Sequence, residues 1–471
     1  MKSFRTFDLG QTLLLSPDLR DWLPEGHLAR FVAEMVGELD LSAIFAGYDG
    51  DGRGQAAYHP QMMAGLLIYG YCVGIFSSRR MERATFEDVA FRFLSGDQHP
   101  DHDTIAAFRE RHLAALKGLF LQVLTLCKKA GLVKLGHVAL DGTKVKANAS
   151  KHKAMSYDHL CRREQELAAQ IAGLLAEASS VDAAEDQQYG RGKSADQLPA
   201  DMARSQQRLA KIREAKAALE QEARGAAERK KAEVEAALTE RARRTAESGK
   251  GVSGPKPVAP DPATATPEAK DQRNFTDPES KIMKDGATKG FEQAYNAQIV
   301  VDDAHQIIVA EDLITQTNDK QQLATMLAQV EVNLGRKPTA ASADAGYYAD
   351  GQLIDPRLKG IDLHVPPDRQ KHNQPPPPDD LPPPSTTAAA PSPATPKTRI
   401  AAMRTKLRTA AGYAIYRMRK AIVEPVFGQV KQVRGFRRFS FRGKVKTGAE
   451  WSLVCTTHNL LKLWRSGWRP A

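Results

Sequence analysis

The sequence predicts an α/β protein, a mixed sheet flanked by helices, with an all-α region before it and a helical hairpin inserted into it. Three observations carry that reading. Apolar residues recur at helical spacing through the first 130 positions, short strand-like runs occupy two separated stretches, and an Ala-, Glu-, Lys- and Arg-rich segment with heptad spacing lies between them.

A chain of 471 residues has room for roughly three domains at ~150 residues each. Its 67 Lys and Arg against 56 Asp and Glu leave a net charge of +11, which favours a polyanionic partner, nucleic acid first. From Lys397 to Arg469 there are 18 basic residues against only Glu424 and Glu450, so the excess is concentrated near the C-terminal end. Cys72, Cys127, Cys161 and Cys455 lie far apart without a CxxC pair. That supports neither a zinc knuckle nor a disulfide framework and fits a reducing cytosol. Arg5, Asp8 and Asp18 interrupt any apolar run at the start, so no signal peptide is expected. The apolar run Met62 to Phe76 is shorter than the ~20 residues of a membrane helix and reads as a buried core helix, so no membrane partner is expected.

In chain order, helices are expected around Leu28 to Val36, Met62 to Phe76, Phe86 to Leu94 and Thr104 to Lys129. Ala84 to Phe93 and the helix after it could form a helix-turn-helix, with Arg109 and Arg111 facing DNA. His99, Asp101, His102 and Asp103 could be imagined as a metal site, but Asp103 as a helix N-cap is the favoured reading. His137-Val-Ala-Leu-Asp-Gly-Thr-Lys-Val-Lys146 reads as a buried strand that carries Asp141 to its end, with Gly142 as a turn and Lys144 to Ala149 as a hairpin partner. Two heptad seams follow, Leu160, Leu167, Ile171, Leu174 and Met202, Leu209, Ile212, Leu219, broken near Gly190 to Pro199; Glu164 and Lys216 in the seams make the coiled coil marginal. Gly192-Lys193-Ser194 lacks the first glycine and the strand of a phosphate loop and is a chance match.

After a Pro/Ala/Thr-rich linker, strands are expected at Tyr295 to Val301 and Ile307 to Ile314, a helix at Asp319 to Leu334, a strand at Thr339 to Ala343 ending on Asp344, and a strand at Ile361 to Val365. A proline-rich stretch precedes two last helices, Ile415 to Val433 and Ala449 to Arg465. The expected domains are 1–130 (helical, possible DNA binding), 131–150 with 272–365 (core strands and helices), 151–248 (helical insertion), 249–271 (linker), 366–398 (Pro-rich loop) and 399–471 (basic helices completing the core).

Asp344 repeats the pattern of Asp141: an acid closing a short small-residue strand, with a glycine soon after. Carboxylates at a sheet rim are what a hard divalent cation needs, although an aspartate capping a turn has the same look. Glu424 shares one helical face with Arg417, Lys420 and Lys431, which suits either an ordinary ion pair or a metal ligand beside phosphate-gripping bases. Pro425 should kink that helix or start a turn.

These stretches resemble the DDE-type transposases of bacterial insertion sequences. The resemblance rests on Ala139-Leu-Asp-Gly-Thr-Lys144, Asn274-Phe-Thr-Asp-Pro-Glu-Ser-Lys-Ile-Met283, Tyr295-Asn-Ala-Gln298, Ala343-Asp-Ala-Gly-Tyr347 and Tyr416-Arg-Met-Arg-Lys-Ala-Ile-Val-Glu-Pro-Val-Phe-Gly-Gln-Val-Lys431. Tyr58-His-Pro60, Ser78-Arg79 and Pro100-Asp101-His102 resemble the helical N-terminal domain of such enzymes. The resemblance implies an RNase H-like core, with Asp141, Asp344 and Glu424 as the catalytic triad and the ligands of two Mg²⁺ ions, Mn²⁺ being able to substitute. It implies double-stranded DNA as partner, both terminal inverted repeats and target, and a homodimer on DNA in the bacterial cytoplasm at the nucleoid. Lys431 and Arg419 would contact phosphates, with either Arg419 or Lys420 filling the arginine position of the final motif; Arg417, Lys420, Arg434, Arg437, Arg438 and Arg109 are further candidates for DNA contact. Tyr347, Asn148, Asp277 and Asn296 are expected to be structural. Two competitors remain: a catalytically inactive or domesticated DNA-binding derivative, and a coiled-coil scaffold built on residues 156–248, which leaves the strand-borne acids unexplained.

Overall fold

Apolar spacing builds the N-terminal helices α1 (Leu28–Glu38), α2 (Ser42–Phe45), α3 (Pro60–Val73), α4 (Ser78–Glu87), α5 (Val89–Ser95), α6 (His102–Arg111) and α7 (Leu113–Lys129). The computed structural model describes residues 18–48, 56–189, 200–248, 255–285, 289–368 and 396–469. The expected break at Gly190 to Pro199, the Gly192-Lys193-Ser194 match, the start of the linker and most of the proline-rich stretch lie outside the described residues.

Two of the expected helices are each split in two. Asp88 ends α4 and caps α5, its carboxylate accepting from the amides of Ala90 and Phe91. His112 separates α6 from α7 and stacks on Tyr48 at 5.5 Å. Asp101, rather than Asp103, caps α6, accepting from the amides of Asp103 and Thr104. His102 faces Glu82 at 2.9 Å and His99 faces Thr85 Oγ1 at 3.2 Å, so the imagined metal cluster is shared out among ordinary partners.

The chain divides into two compact units, one of Met1–Asn148, Met283–Gly290 and Ala294–Ala471, the other of Ala149–Ile282 and Phe291–Gln293. The second unit is built on β2 (Ala154–Ser156), β3 (Gln272–Asn274) and the long helices α8 (Tyr157–Tyr189) and α9 (Ala200–Ser248). Leu160, Leu167 and Ile171 of α8 bury against Leu209, Ile212, Ala215 and Leu219 of α9, the two heptad seams facing each other. Glu164 and Lys216, the polar residues of the expected seams, pair with each other: Lys216 Nζ donates to Glu164 at 2.9 Å, and Arg213 Nε donates to the same carboxylate at 3.0 Å.

In the first unit, β1 (His137–Lys146) is the hub of a mixed sheet. It runs antiparallel to β5 (Phe291–Asp302) and parallel to β7 (Ala340–Ala343), which is itself parallel to β8 (Asp362–His364). β6 (Ile308–Ile314) pairs antiparallel with β5, and β4 (Lys281–Lys284) also joins β5. Residues Ala294 to Asp302 are buried without alternation, as expected where both faces of a sheet are covered. The cover is helical. α10 (Leu323–Leu334) and α14 (Lys444–Arg465) pack on β6, and α13 (Ala410–Gly428), which follows α12 (Pro396–Arg408), packs on β1, β7 and β8; the short α11 (Asp350–Leu353) packs on α10. α14 also packs on α3 and α7, so it is core on nearly every side. No single described helix is long and apolar enough to cross a membrane. Cys72, Cys127 and Cys455 are buried thiols within this core.

One buried acid strains the arrangement. Glu311 on β6 is 5% exposed, and burial pushes its carboxyl up to about 7 against the opposing pull of Ser452 and Lys117. An acid raised from 4.5 to about 7 by folding stabilises fully below pH 4.5 and loses that contribution as pH rises through 7. Glu311→Gln is therefore expected to raise unfolding stability on the order of 2–3 kcal/mol at pH 8 and to change little at pH 4, read from urea midpoints at the two pH values.

Candidate active site

Register fixes the centre of the site. β1 and β7 pair in parallel from His137 opposite Ala340 to Leu140 opposite Ala343, and the next residue on each strand is an aspartate. Asp141 and Asp344 therefore lie side by side where the parallel pairing ends, Asp344 just past the carboxyl end of β7 and Asp141 within β1. Asp141 is not at a turn, as the glycine after it suggests. β1 continues to Lys146 against β5, with no hairpin partner at Lys144 to Ala149. Gly142 serves a close approach: a Cβ there would run into Gln298 Nε2 and lie 3.0 Å from Asn296 Oδ1 and 3.1 Å from Asp319 Oδ1.

The two aspartates are held differently. Asp344 caps the short turn Ala345–Tyr347, its Oδ1 accepting from the Gly346 amide at 2.8 Å. Asp141 Oδ1 accepts from the Gly142 amide at 2.8 Å, and its Oδ2 takes an ion pair from Arg419 Nη1 at 3.0 Å. Burial pushes the Asp141 carboxyl up to about 6; Arg419 pulls it down and Asp344 pushes it further up. Burial works against the Arg419 charge too, yet Asp141, Tyr416 and Asp344 together raise it. The cation is thus locked to Asp141, and that carboxylate without it would lose its charged partner in a largely enclosed place.

A third carboxylate stands beside them. Asp319 lies in the loop before α10, where a helix start is expected from the sequence, and its Oδ1 accepts from Asn296 Nδ2 at 2.6 Å and Gln298 Nε2 at 2.7 Å. Gln298 Oε1 in turn accepts from the buried Tyr347 hydroxyl. Lys144 Nζ is 3.9 Å from Asp319 Oδ1, and burial lowers its pKa while Asp319, Asp141 and Asp344 all act to raise it. Asp319, Gln298 and Lys144 are not among the site residues expected from the sequence, although Lys144 and Gln298 close two of the motifs quoted above and Asp319 is read there as a helix start. The available signal is that Thr315-Gln-Thr-Asn-Asp319 is a polar run directly after a buried strand.

α13 crosses this end of the sheet and brings Arg419 and Tyr416 to it. Pro425 does not end it: the helix runs on to Gly428. The carbonyl its ring deprives of a partner is that of Ala421, four residues back, and Gln306 Nε2 donates to that oxygen at 3.0 Å. After Gly428 the helix widens into one π-turn, Gln429–Val433, which shifts Lys431 off the stripe expected for it. Lys431 is half-buried and donates to the Lys144 carbonyl at 2.7 Å, whereas Arg417, Lys420 and Glu424 share the exposed face. Among the described residues, no hydrogen bond or ion pair joins Glu424 to Asp141 or Asp344, and no three His, Cys, Asp or Glu side chains form a ready metal cage.

The basic residues expected at DNA divide sharply. Arg437 and Arg438 are exposed on a loop pinned inward by the buried rings of Phe436 and Phe439, and Arg442 is exposed on the same loop. That loop is laid along the end of β1: Lys146 N donates to Arg437 O, Phe439 N to Lys146 O, and Asn148 Nδ2 to Ser440 O at 2.8 Å. Two expectations are corrected. Arg109 is 7% exposed and donates to Tyr71 Oη at 3.2 Å and Phe76 O at 2.8 Å, with its guanidinium 4.9 Å from the Phe441 ring centroid. Arg434 is 5% exposed and donates to Thr457 Oγ1 at 2.8 Å and Val454 O at 3.2 Å. Both are internal braces, because long cationic side chains on core-facing positions find carbonyl and hydroxyl partners there rather than phosphates.

No curated protein and no solved structure matches the chain. Two family models do. Residues 17–111 match the model described as Transposase domain (DUF772), and residues 261–460 match the Transposase DDE domain, the stretch that holds Asp344, Arg419, Glu424 and both strands against which β1 is laid. Transposases act on DNA, and DDE domains generally use divalent metal ions. With a helical N-terminal region, a mixed sheet flanked by helices and two transposase models spanning most of its length, the chain belongs to the DDE-type insertion-sequence transposases.

Proposed function

We propose that this transposase binds the terminal inverted repeats of its own element, cleaves at their 3′ ends by Mg²⁺-dependent hydrolysis and joins those ends to target DNA. The observation that carries the reading is the side-by-side placement of Asp141 and Asp344 where the parallel pairing of β1 and β7 ends. Magnesium is usually held by one or two carboxylates plus substrate phosphates and keeps several waters. A pair of aspartates without a full protein cage therefore fits that donor chemistry. Asp141, Asp344 and, from α13, Glu424 would hold two such ions, in the RNase H-like core built on residues 131–150, 272–365 and 399–471. Bound there, divalent ions supply an activated water or 3′-hydroxyl and stabilise the leaving oxygen of an in-line displacement.

The protein's own groups do the rest. Arg419 holds Asp141 in one orientation through its 3.0 Å contact, and its guanidinium is available to a phosphate once that carboxylate is otherwise occupied. Lys431, anchored on Lys144 O, lies along the same strand. Exposed Arg417, Lys420, Arg437 and Arg438 grip the duplex backbone farther out. Because two element ends must be cut together, the working form is a homodimer on DNA in the cytoplasm.

The deciding experiment is a nicking assay on terminal-repeat DNA with Mg²⁺ or Mn²⁺. Metal-dependent 3′ nicks are expected, and protein that shifts the DNA yet never cuts it would be the non-catalytic derivative instead. Binding itself is expected to weaken steeply with salt. Arg437→Ala and Arg438→Ala should each reduce the slope of log K against log salt by about 0.9, measured by fluorescence anisotropy across a salt series.

A further inference from the structure

We propose that Asp319 is a further metal-facing carboxylate of this site, presented by Asn296 and Gln298 from β5. The inference rests on the reading above and adds to it a residue that the three-acid pattern leaves out.

The geometry runs as a tether and a free end. Both amide donors take the same oxygen: Asn296 Nδ2 at 2.6 Å and Gln298 Nε2 at 2.7 Å converge on Asp319 Oδ1. Asn296 and Gln298 are fully buried on the central strand, and Gln298 is fixed from behind by the Tyr347 hydroxyl. Their fork therefore sets the carboxylate plane rather than following it. The other oxygen and Asp344 have Gly346 as a common neighbour. The point where a Cβ on Gly346 would sit is 3.7 Å from Asp319 Oδ2 and 2.9 Å from Asp344 Oδ1, so the two acids flank one small gap that the glycine leaves open. A structural aspartate that only had to accept two amides would not need its second oxygen beside another carboxylate, where like charges repel.

A separate observation points to a missing anionic ligand at the same place. Arg419 is 8% exposed and its Nη1 is used on Asp141, yet its Nε has no hydrogen-bond partner among the described residues. A buried guanidinium N–H without an acceptor costs free energy; the braces Arg109 and Arg434 carry one too, but that of Arg419 belongs to the guanidinium bonded to Asp141, where an oxygen of a bound phosphate would complete it. On the opposite side, Lys144 lies 3.9 Å from Asp319 and offsets part of the negative charge until cations arrive. Three carboxylates with only Arg419 and Lys144 among them leave a net negative centre, which suits divalent cations.

The test measures Mn²⁺ binding to the full-length protein without DNA, by electron paramagnetic resonance of free Mn²⁺, for wild type, Asp141→Asn and Asp319→Asn. Asparagine at 319 keeps an oxygen for the two amides and removes the charge, so a native near-UV spectrum is expected. The proposal expects Asp319→Asn to weaken Mn²⁺ at least about tenfold, as Asp141→Asn does. Unchanged affinity in Asp319→Asn together with weakened Asp141→Asn overturns the proposal and leaves the proposed function standing. Wild type without Mn²⁺ affinity, or Asp141→Asn bound as tightly as wild type, overturns both. If Asp319→Asn loses its native spectrum, Asp319→Glu is the second variant; it keeps the charge and displaces it, and a folded Asp319→Glu protein with wild-type affinity also overturns the proposal.

Discussion

Asp141→Asn is expected to slow metal-dependent strand cleavage at least ~10³-fold while gel-shift binding of terminal-repeat DNA is kept, since several kcal/mol of transition-state stabilisation depend on the charge it removes and each 1.36 kcal/mol is tenfold in rate. The substitution is nearly isosteric, but both carboxylate oxygens are in use as acceptors. Oδ1 takes the Gly142 amide and Oδ2 takes Arg419. An asparagine can offer an oxygen to only one of them, so its NH₂ must face a donor, a loss of about 1–3 kcal/mol for the unsatisfied group. Removing an acid that burial already penalises returns part of this, and the folded protein should persist. The binding arm separates the readings. Arg437 and Arg438 lie on their own pinned loop, beyond the reach of a change at 141, so a variant that loses DNA affinity would indicate a collapsed fold rather than a missing catalyst. A variant that still cuts at the wild-type rate would remove Asp141 from the chemistry.

The same residues show what a sequence can reveal here. Strands β1, β5, β6 and β7 are readable because each is a short apolar run bounded by polar or turn residues, and the helical hairpin because its heptads keep one register. Asp141 and Asp344 are findable as a repeated pattern, an acid after a small apolar strand with glycine close behind. Their adjacency is not, because it depends on the parallel register of strands about 200 positions apart in the chain. Local signals mislead where a distant part of the chain decides the outcome. Gly142 looks like a turn but makes room for Gln298. Pro425 looks like a helix stop, but Gln306 from the β5–β6 turn supplies the donor its carbonyl lacks. Asp319 looks like a helix cap, and only the amides of β5 draw it toward the other acids. Arg109 and Arg434 look like DNA contacts because they are arginines in the right neighbourhoods, and burial is a property of the packed molecule that charge counting does not reach.

Glu450→Ala is expected to cost about 3–5 kcal/mol of stability, the range for breaking a buried charged network by removing one partner. Glu450 is 1% exposed in α14, and its two oxygens bind two parts of the unit together. Oε1 accepts from the Tyr71 hydroxyl of α3 at 2.9 Å, while that hydroxyl accepts from Arg109 of α6 at 3.2 Å. Oε2 accepts from the backbone amides of Ser440 at 2.8 Å and Phe441 at 3.4 Å, at the end of the loop that displays Arg437, Arg438 and Arg442. Alanine would leave a buried hydroxyl and the Ser440 amide without acceptors, and would leave the Arg109 charge without the anion that its partner relays to it. The loop has a second anchor in Phe436, which packs edge-on to Phe76 at 5.1 Å and to Phe439 at 5.5 Å. Its hinge half should therefore stay docked while the Ser440 end loosens. The consequence is a coupled readout: the urea midpoint falls, and the affinity for DNA falls further than stability alone explains, because the arginines are no longer held in one arrangement. Tyr71→Phe removes the two hydrogen bonds of that hydroxyl, to Glu450 and from Arg109, but leaves the Glu450 charge and its backbone donors in place, and should cost less, about 1–3 kcal/mol. In a double-mutant cycle Tyr71→Phe and Glu450→Gln should be coupled by about 0.5–3 kcal/mol. Strict additivity of the two would show that Tyr71 and Glu450 act independently and that α3 does not brace the arginine loop through this pair.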